Sequence, residues 1–364
     1  MMYHLGFWYL ILADTYPLTT LHISQISQYT SSATKYGFVG VEIFFVISGY
    51  VVSFSIEGRT RSQYLRARFL RLWPTVWVCA TVCLILAIAT RQGPIWMLVS
   101  PYIRSIVIFP KGPWIDGVYW TLPIEIAFYI FMLFVVGGDR VNQRAALALA
   151  LGTASIGFWV CYLTTHSIPQ FEQFTHIFDR IASSQACDVF LIHHGIYFAL
   201  GILMHSPASK KVMIFFCSSA IFFAFIEISE VSDVLNQRPH VHISPWPAYA
   251  LWLVCVAYLV AAVRYNSAVI NALGQKRVTF FRGVGLLTYP LYLMHTIVAF
   301  ATAFFLLRLG APQVVAWSAG PLMAIISAMV IAQWIEPRAR RLTASAIDHL
   351  VRQVAVISRP DAHS

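Results

Sequence analysis

The sequence has few charged residues for its length. Asp, Glu, Lys and Arg make up 11% of its 364 residues, against roughly 25% in soluble domains. Apolar residues make up 59%, against roughly 45–50% in globular chains, and the mean hydropathy is +0.69. Because so few polar side chains cannot cover a soluble surface, the composition excludes soluble domains, disordered chains, collagen and coiled coils. It predicts a polytopic membrane protein.

The sequence also lacks the common motifs of soluble enzymes. It has no glycine-rich phosphate loop, no nucleophile elbow and no His-Glu-x-x-His zinc helix. The six cysteines lie within or beside apolar runs, which is typical of small buried side chains. The adjacent His193 and His194 would face different sides of a helix, so we interpret them as structural. We therefore expect no metal site and no permanently bound cofactor.

Nine apolar runs approach the roughly 20 residues that a membrane-spanning helix needs. The stretch from Met1 to about Pro17 is shorter, and we expect it to be the end of a helix whose beginning is missing. The predicted fold class is all-α, a polytopic transmembrane helix bundle of about ten helices with the first one truncated. This bundle takes up 1–343, and a short cytoplasmic tail follows over 344–364. The nine runs are 37–56, 70–90, 118–137, 145–163, 187–205, 212–228, 247–263, 284–307 and 312–336.

Basic residues are distributed unevenly between the loops. Of the 25 Lys and Arg residues, 18 fall in alternate connections that include 57–72, 264–283 and the tail after 336. By the positive-inside rule, these connections are cytoplasmic, and so is the C-terminus. A net charge of +10 would suggest nucleic acid in a soluble protein. Here the concentration of basic residues in the predicted cytoplasmic connections accounts for the positive net charge, and we expect no nucleic-acid partner.

Several ionisable residues lie within or beside the apolar runs, where such groups are functional candidates by default. Glu42 and Glu125 are carboxylates inside predicted spans, although a structural ion pair would also explain them. His4 and His295 belong to the residue type that ordinarily titrates near neutral pH and can take a proton from a hydroxyl group, although a lone histidine is often a packing residue.

Two arginines stand at the predicted cytoplasmic edge. Arg68 and Arg71 are three residues apart and share one helix face, where two guanidinium groups would suit a phosphate-bearing ligand. The alternative is charge that only sets the topology. Trp120 lies near the predicted outer interface, where aromatic residues are common in any case.

Five motifs follow one another along the chain: GFVGVEIFFVISGYVV, RARFLRLWP, VYWTLPIEIAFYIF, LTYPLYLMH and WIEPRARR. In this order they resemble the acyltransferase 3 family of bacterial inner-membrane acyltransferases, which includes O-antigen, exopolysaccharide and macrolide O-acyltransferases. The resemblance runs from about His4 to Arg341. It implies a bundle of about ten helices that moves an acyl group from cytoplasmic acyl-CoA to an acceptor, often a sugar hydroxyl at the outer face.

The resemblance also assigns roles to residues. It makes His4 the catalytic histidine of the first helix, with Glu42 as an orienting carboxylate, and Arg68 and Arg71 the pair that binds acyl-CoA. In the family an arginine precedes this histidine by about three helical turns, a position that lies before Met1. We expect an upstream start, and the alternative is a truncation that damages activity. The remaining family positions are Trp120 and Glu125 (with Thr121 for the usual Ser), Tyr292 and His295, and Glu336 with Pro337.

The function implied is transfer of an acyl group, with acetyl expected first, from acyl-CoA to a hydroxyl group. The acceptor would be a cell-envelope or secreted glycan or another molecule, and the protein would lie in the bacterial inner membrane. Two alternatives stay open. One is a transporter or flippase of a lipid-linked saccharide, which predicts inverted repeats that the sequence does not display. The other is an inactive truncated acyltransferase.

Overall fold

The computed structural model describes residues 3–8, 34–137, 140–205, 209–238 and 241–357. Every regular element in those ranges is a helix, which confirms the all-α class. A helical segment at Tyr3–Trp8 precedes the α-helices. These are α1 (Gly40–Ser55), α2 (Arg61–Ala89), α3 (Ile95–Ile106), α4 (Thr121–Leu133), α5 (Arg140–Ser167), α6 (Thr175–Ala182), α7 (Gln185–Val189), α8 (Gly195–His205), α9 (Lys210–Asn236), α10 (Pro245–Arg264), α11 (Asn266–Arg308), α12 (Gln313–Val330) and α13 (Glu336–Ile357).

Seven described helices are long and apolar enough to cross a membrane. They correspond to seven of the nine predicted runs, so the protein is a multi-pass membrane protein. The other two runs form shorter apolar helices, Gly117–Leu133 and Gly195–His205. The run predicted at 187–205 is interrupted because Leu191 adopts a left-handed conformation with φ 59°. Most of the predicted first helix lies outside the described residues, and α13 continues across the boundary predicted at 343.

The helices form two apolar clusters with α4 between them. One cluster is built mainly on α1, α8 and α9, and the other on α2, α11 and α12. Ile124 and Phe128 of α4 pack into the first cluster, while Leu122 packs into the second. Polar side chains on α4 therefore lie at the junction of the two halves of the bundle.

Glycine permits the closest helix contact in the first cluster. A Cβ atom on Gly201 of α8 would collide with the carbonyl oxygen of Val46 on α1, and one on Gly49 would collide with that of Phe198. Small residues allow this approach, which is a common way to pack helices in membranes. It holds α1 and α8 rigidly side by side.

One end of the bundle contains the loop between α1 and α2, and we call it the inner end because the charge bias predicts it to be cytoplasmic. Here the buried Arg144 of α5 donates hydrogen bonds to Glu57 Oε1 and to the carbonyl oxygen of Ser53, both at 3.3 Å. His205 Nε2 lies 3.1 Å from Glu57 Oε1. This hydrogen bond from His205, with the charge of Arg144, lowers the pKa of Glu57 below its ordinary value. The three contacts tie α1, α5 and α8 together.

Candidate active site

The two histidines of the predicted site meet in the structure, although 291 residues separate them in the chain. His4 Nδ1 lies 3.0 Å from His295 Nε2. The ring of His295 is buried, with 1% of its surface exposed. Its Nδ1 lies 3.0 Å from the carbonyl oxygen of Leu291 and 2.9 Å from that of Tyr292. His4 Nδ1 and both ring nitrogen atoms of His295 therefore have hydrogen-bond partners.

These contacts determine which nitrogen atoms carry hydrogen. A carbonyl oxygen can only accept, so Nδ1 of His295 must be the donor to Leu291 and Tyr292. In a neutral imidazole the other nitrogen, His295 Nε2, is then an acceptor. It accepts from Nδ1 of His4, which leaves the lone pair of His4 on Nε2. The pair thus presents one basic nitrogen, Nε2 of His4.

The segment that carries His4 is anchored at the start of α1. The ring of Tyr3 lies 6.1 Å from that of Phe38 and 5.6 Å from that of Phe7. A Cβ atom on Gly37 would come within 2.8 Å of the Tyr3 Cβ, so glycine allows this contact. Leu5 and Phe7 are buried. Packing on both sides of the histidine fixes its position against α11.

Hydrogen bonds join the motif around Trp120 to the motif around His295. The hydroxyl of Tyr292 donates to the carbonyl oxygen of Val118 at 2.6 Å and lies 2.8 Å from Thr121 Oγ1. Because its hydrogen goes to Val118, it accepts from the Thr121 hydroxyl. Threonine thus supplies the hydroxyl that the family's usual serine would supply. The ring of Tyr292 lies 6.3 Å from that of His295, so α4 and α11 are joined next to the histidine pair.

Arg68 points into the bundle and not towards its surface. It is buried, and its Nη2 donates to Ser55 Oγ at 2.5 Å. Its guanidinium carbon lies 5.5 Å from the ring centre of Tyr64 and 5.2 Å from that of Tyr129, within the range of a cation–π interaction. Both rings support the guanidinium group from inside the protein.

Arg71 is exposed on α2, yet its charge reaches buried groups. It interacts electrostatically with Glu125, which is buried and accepts a hydrogen bond from the hydroxyl of Tyr129. It also interacts with Tyr289 on α11 and with Glu336 at the start of α13. The cation in contact with Glu336 is Arg340, whose Nη1 lies 3.5 Å from Glu336 Oε1.

The arginines and the histidine pair lie along one polar track. Tyr289, Tyr292 and His295 are three residues apart and share one face of α11. The rise from Tyr289, which Arg71 influences, to His295 is about 9 Å. The track leads from Arg71 near the inner end, past Glu125 and the Tyr292 hydroxyl, to the imidazole groups.

A second polar cluster surrounds His194, and it contains Glu42. His194 Nδ1 lies 3.3 Å from Glu227 Oε1, and the hydroxyl of Tyr197 donates to Glu227 Oε2 at 2.6 Å. Glu42 is buried and interacts electrostatically with Glu227 and His194. The half-buried ring of Trp120 is 6.3 Å from that of His194. Glu42 therefore lies with His194, whereas the hydrogen bonds that orient His4 run through His295.

Our prediction that His193 and His194 face different sides of a helix is wrong. Residues 190–194 form turns before α8, and both rings reach Asp188. His193 Nδ1 lies 2.6 Å and His194 Nε2 lies 3.5 Å from Asp188 Oδ1. The ligand atoms of these three residues lie within 4.8 Å of one another, a spacing that could hold a metal ion. Within this group, His193 Nδ1 contacts Asp188 directly, whereas His193 Nε2 is buried without a hydrogen-bond partner.

This arrangement places a histidine pair, hydroxyl groups and one inward-facing guanidinium group, that of Arg68, inside a helical membrane bundle. A family model described as an acyltransferase domain, of the acyltransferase 3 type, matches residues 1–335. The chain belongs to this family of membrane acyltransferases. It is 28% identical over 145 residues to Nodulation protein 10 of Rhizobium leguminosarum bv. viciae, a match that spans 33% of this chain and 39% of the relative. No solved structure matches the chain.

Proposed function

We propose that the protein is an O-acyltransferase of a bacterial inner membrane. It takes an acyl group, acetyl in the first instance, from acyl-CoA on the cytoplasmic side and transfers it to a hydroxyl group of a glycan or other acceptor. The observation that carries the proposal is the pair formed by the half-buried His4 and the buried His295, in which one nitrogen is left as a base. Membership of the acyltransferase 3 family supports acyl transfer, and the excess of basic residues at the inner end supports the side of the donor.

His4 acts as the general base in this proposal. Its Nε2 takes the proton of the acceptor hydroxyl as the oxygen attacks the thioester carbonyl. A C–O bond forms, the C–S bond breaks, and the CoA thiolate leaves with the proton that His4 returns. General base catalysis of this kind contributes roughly 10²- to 10⁴-fold in rate. The same nitrogen could instead carry the acyl group briefly.

His295 is a positioning residue. It accepts the Nδ1 hydrogen of His4 at 3.0 Å and so fixes both the orientation of the His4 ring and the nitrogen that is basic. Because His295 is itself neutral, it does not form an ion pair with the His4 ring. His4 then stays neutral between turnovers and available to receive a proton.

Arg68 and Arg71 belong to the donor side. The family resemblance links this pair to acyl-CoA, and the polar track past Glu125 supports a path from these arginines to His4. Because Arg71 is exposed while Arg68 is buried, we propose that Arg71 contacts the donor directly and that Arg68 holds the inner end in shape. The acceptor would approach from the outer end, where α1 and α4 begin near Glu42 and Trp120.

Transfer of label from acetyl-CoA in membrane vesicles tests the proposal. His4→Ala should lower the transfer rate by about 10²- to 10⁴-fold while the protein still inserts into the membrane. His176→Ala, a change at an exposed histidine of α6, is the matched control and should transfer label normally. Unchanged transfer by His4→Ala would remove His4 from the mechanism. Movement of a saccharide across the membrane without consumption of acetyl-CoA would favour the transporter instead.

A further inference from the structure

A basic groove lies at the inner end, outside the polar track. It has a volume of about 480 Å³ and runs between α2 and α13. Three of its lining residues are arginines, which come from the loop before α2, from α2 and from α13. The lining residues are Arg59, Gln63, Arg66, Ala67, Leu70 and Arg340.

The groove uses a face of α2 that Arg68 does not share. Gln63, Arg66, Ala67 and Leu70 follow the i, i+3, i+4, i+7 spacing of one helix face. Arg68 is two residues after Arg66 and so about 200° around the helix. α2 therefore directs one arginine, Arg68, into the bundle and another, Arg66, into the groove.

Two contacts between α2 and α13 build the groove. Arg340 Nε donates to the carbonyl oxygen of Leu70 at 2.9 Å. Arg66 Nη2 donates to both carboxylate oxygens of Asp348, at 2.9 and 2.8 Å. The side chains of Arg66 and Asp348 are 44% and 52% exposed, and ion pairs this exposed are weak. A stronger anion could therefore replace Asp348 as the partner of Arg66.

We propose that this groove binds the phosphorylated nucleotide end of the acyl-CoA donor, an inference that rests on the proposed function. Guanidinium forks bind phosphate groups through paired hydrogen bonds. The nucleotide end of CoA carries a 3′-phosphate and a diphosphate, so it offers several anions to Arg59, Arg66 and Arg340. The apolar atoms of Ala67 and Leu70 would support the adenine ring. The thioester end would then extend around α2 towards Arg71.

The number of arginines favours CoA over the other source of phosphate, a lipid headgroup. Most membrane phospholipids present a single phosphate, whereas the groove sets three guanidinium groups around one recess. The Asp348 carboxylate binds Arg66 where a phosphate group of the donor would bind. Asp348→Asn should therefore tighten binding of the nucleotide end.

Comparison of acetyl-CoA with acetyl-dephospho-CoA, which lacks the 3′-phosphate, tests the groove. We expect the wild type to show a KM about tenfold lower for acetyl-CoA, as one charge-assisted hydrogen bond implies. Arg59→Gln and Arg66→Gln should raise the KM for acetyl-CoA and bring the ratio of the two KM values towards one, with kcat unchanged. Lys211→Gln, the same charge change at the start of α9, is the control and should leave the ratio as in the wild type.

The outcomes separate this inference from the proposed function. Binding of CoA and dephospho-CoA to the purified protein is measured alongside transfer. Tighter binding of CoA without any transfer would overturn the proposed function and support the groove. Transfer with the same KM ratio in the wild type and in both arginine variants would overturn the groove. Activity of those variants that depends on anionic lipid in the vesicles, with the KM ratio unchanged, would assign the groove to a lipid and overturn it too.

Discussion

Replacing His295 by alanine should slow acyl transfer without weakening the binding of the donor. His295→Ala removes the acceptor of the Nδ1 hydrogen of His4, a part-buried hydrogen bond of 3.0 Å whose acceptor side is buried. Leaving such a donor unpaired costs about 1–3 kcal/mol. About 1.4 kcal/mol corresponds to a tenfold change in rate, so kcat should fall about 5- to 150-fold. The KM for acetyl-CoA should not change, because the proposed donor contacts lie on α2, in the loop before it and on α13, and not on α11.

A conservative variant separates this positioning role from a merely structural one. Glutamine offers a side-chain carbonyl oxygen that can accept the hydrogen of His4. We therefore expect His295→Gln to recover part of the kcat that His295→Ala loses. Steady-state label transfer gives kcat and KM, and size-exclusion chromatography in detergent checks that each variant is folded. The reasoning is refuted if His295→Ala keeps the wild-type kcat, or if His295→Gln is as slow as His295→Ala.

Three further predictions concern the frame around the site. Tyr292→Phe removes the acceptor of the Thr121 hydroxyl and should lower kcat, whereas Thr121→Ser keeps this hydrogen bond and should transfer label at nearly the wild-type rate. Gly201→Ala should destabilise the protein by about 1–3 kcal/mol through overpacking. Gly157→Ala in α5, where a Cβ atom meets nothing within 4 Å, should not lower the thermal unfolding temperature and should raise it slightly, because alanine favours a helix over glycine. Glu57→Gln should lower this temperature slightly at pH 7. The folded-state pKa of Glu57 is lowered, so the ionised Glu57 stabilises the protein fully above its ordinary pKa of about 4.3. This stabilisation is lost as the pH falls through the folded-state pKa. A difference in unfolding temperature between the wild type and Glu57→Gln that stays constant down to pH 3 would contradict this.

The spans could be predicted from the sequence because apolar length alone determines them. Seven predicted runs became membrane-length helices. The run 187–205 did not, since the left-handed conformation of Leu191 breaks it and hydropathy contains no information on that turn. The same turn brings His193 and His194 to one carboxylate, which the assumption of a continuous helix excluded.

Candidate residues of the site could be named from the sequence, but their contacts could not. The motifs identified His4 and His295 separately, and nothing in the sequence indicated that they bond to each other across 291 residues. Likewise, the spacing of Arg68 and Arg71 predicted a shared face but not that one would be buried. Glu42 was expected to orient His4, yet its neighbours are His194 and Glu227. Such partners depend on how helices pack, which periodicity does not determine.

The central claim is that His4 acts as a base that the donor reaches from the inner end. Its most direct test is how the transfer of label depends on His4 and on the side from which acetyl-CoA is supplied. Single-turnover transfer of label from acetyl-CoA, supplied at the inner end of oriented vesicles, should be complete in the wild type and lost in His4→Ala. It should be lost as well when acetyl-CoA is supplied only at the outer end. Equal transfer by the wild type and His4→Ala, or equal transfer from the two sides, would contradict a histidine base inside the bundle that is reached from the inner end.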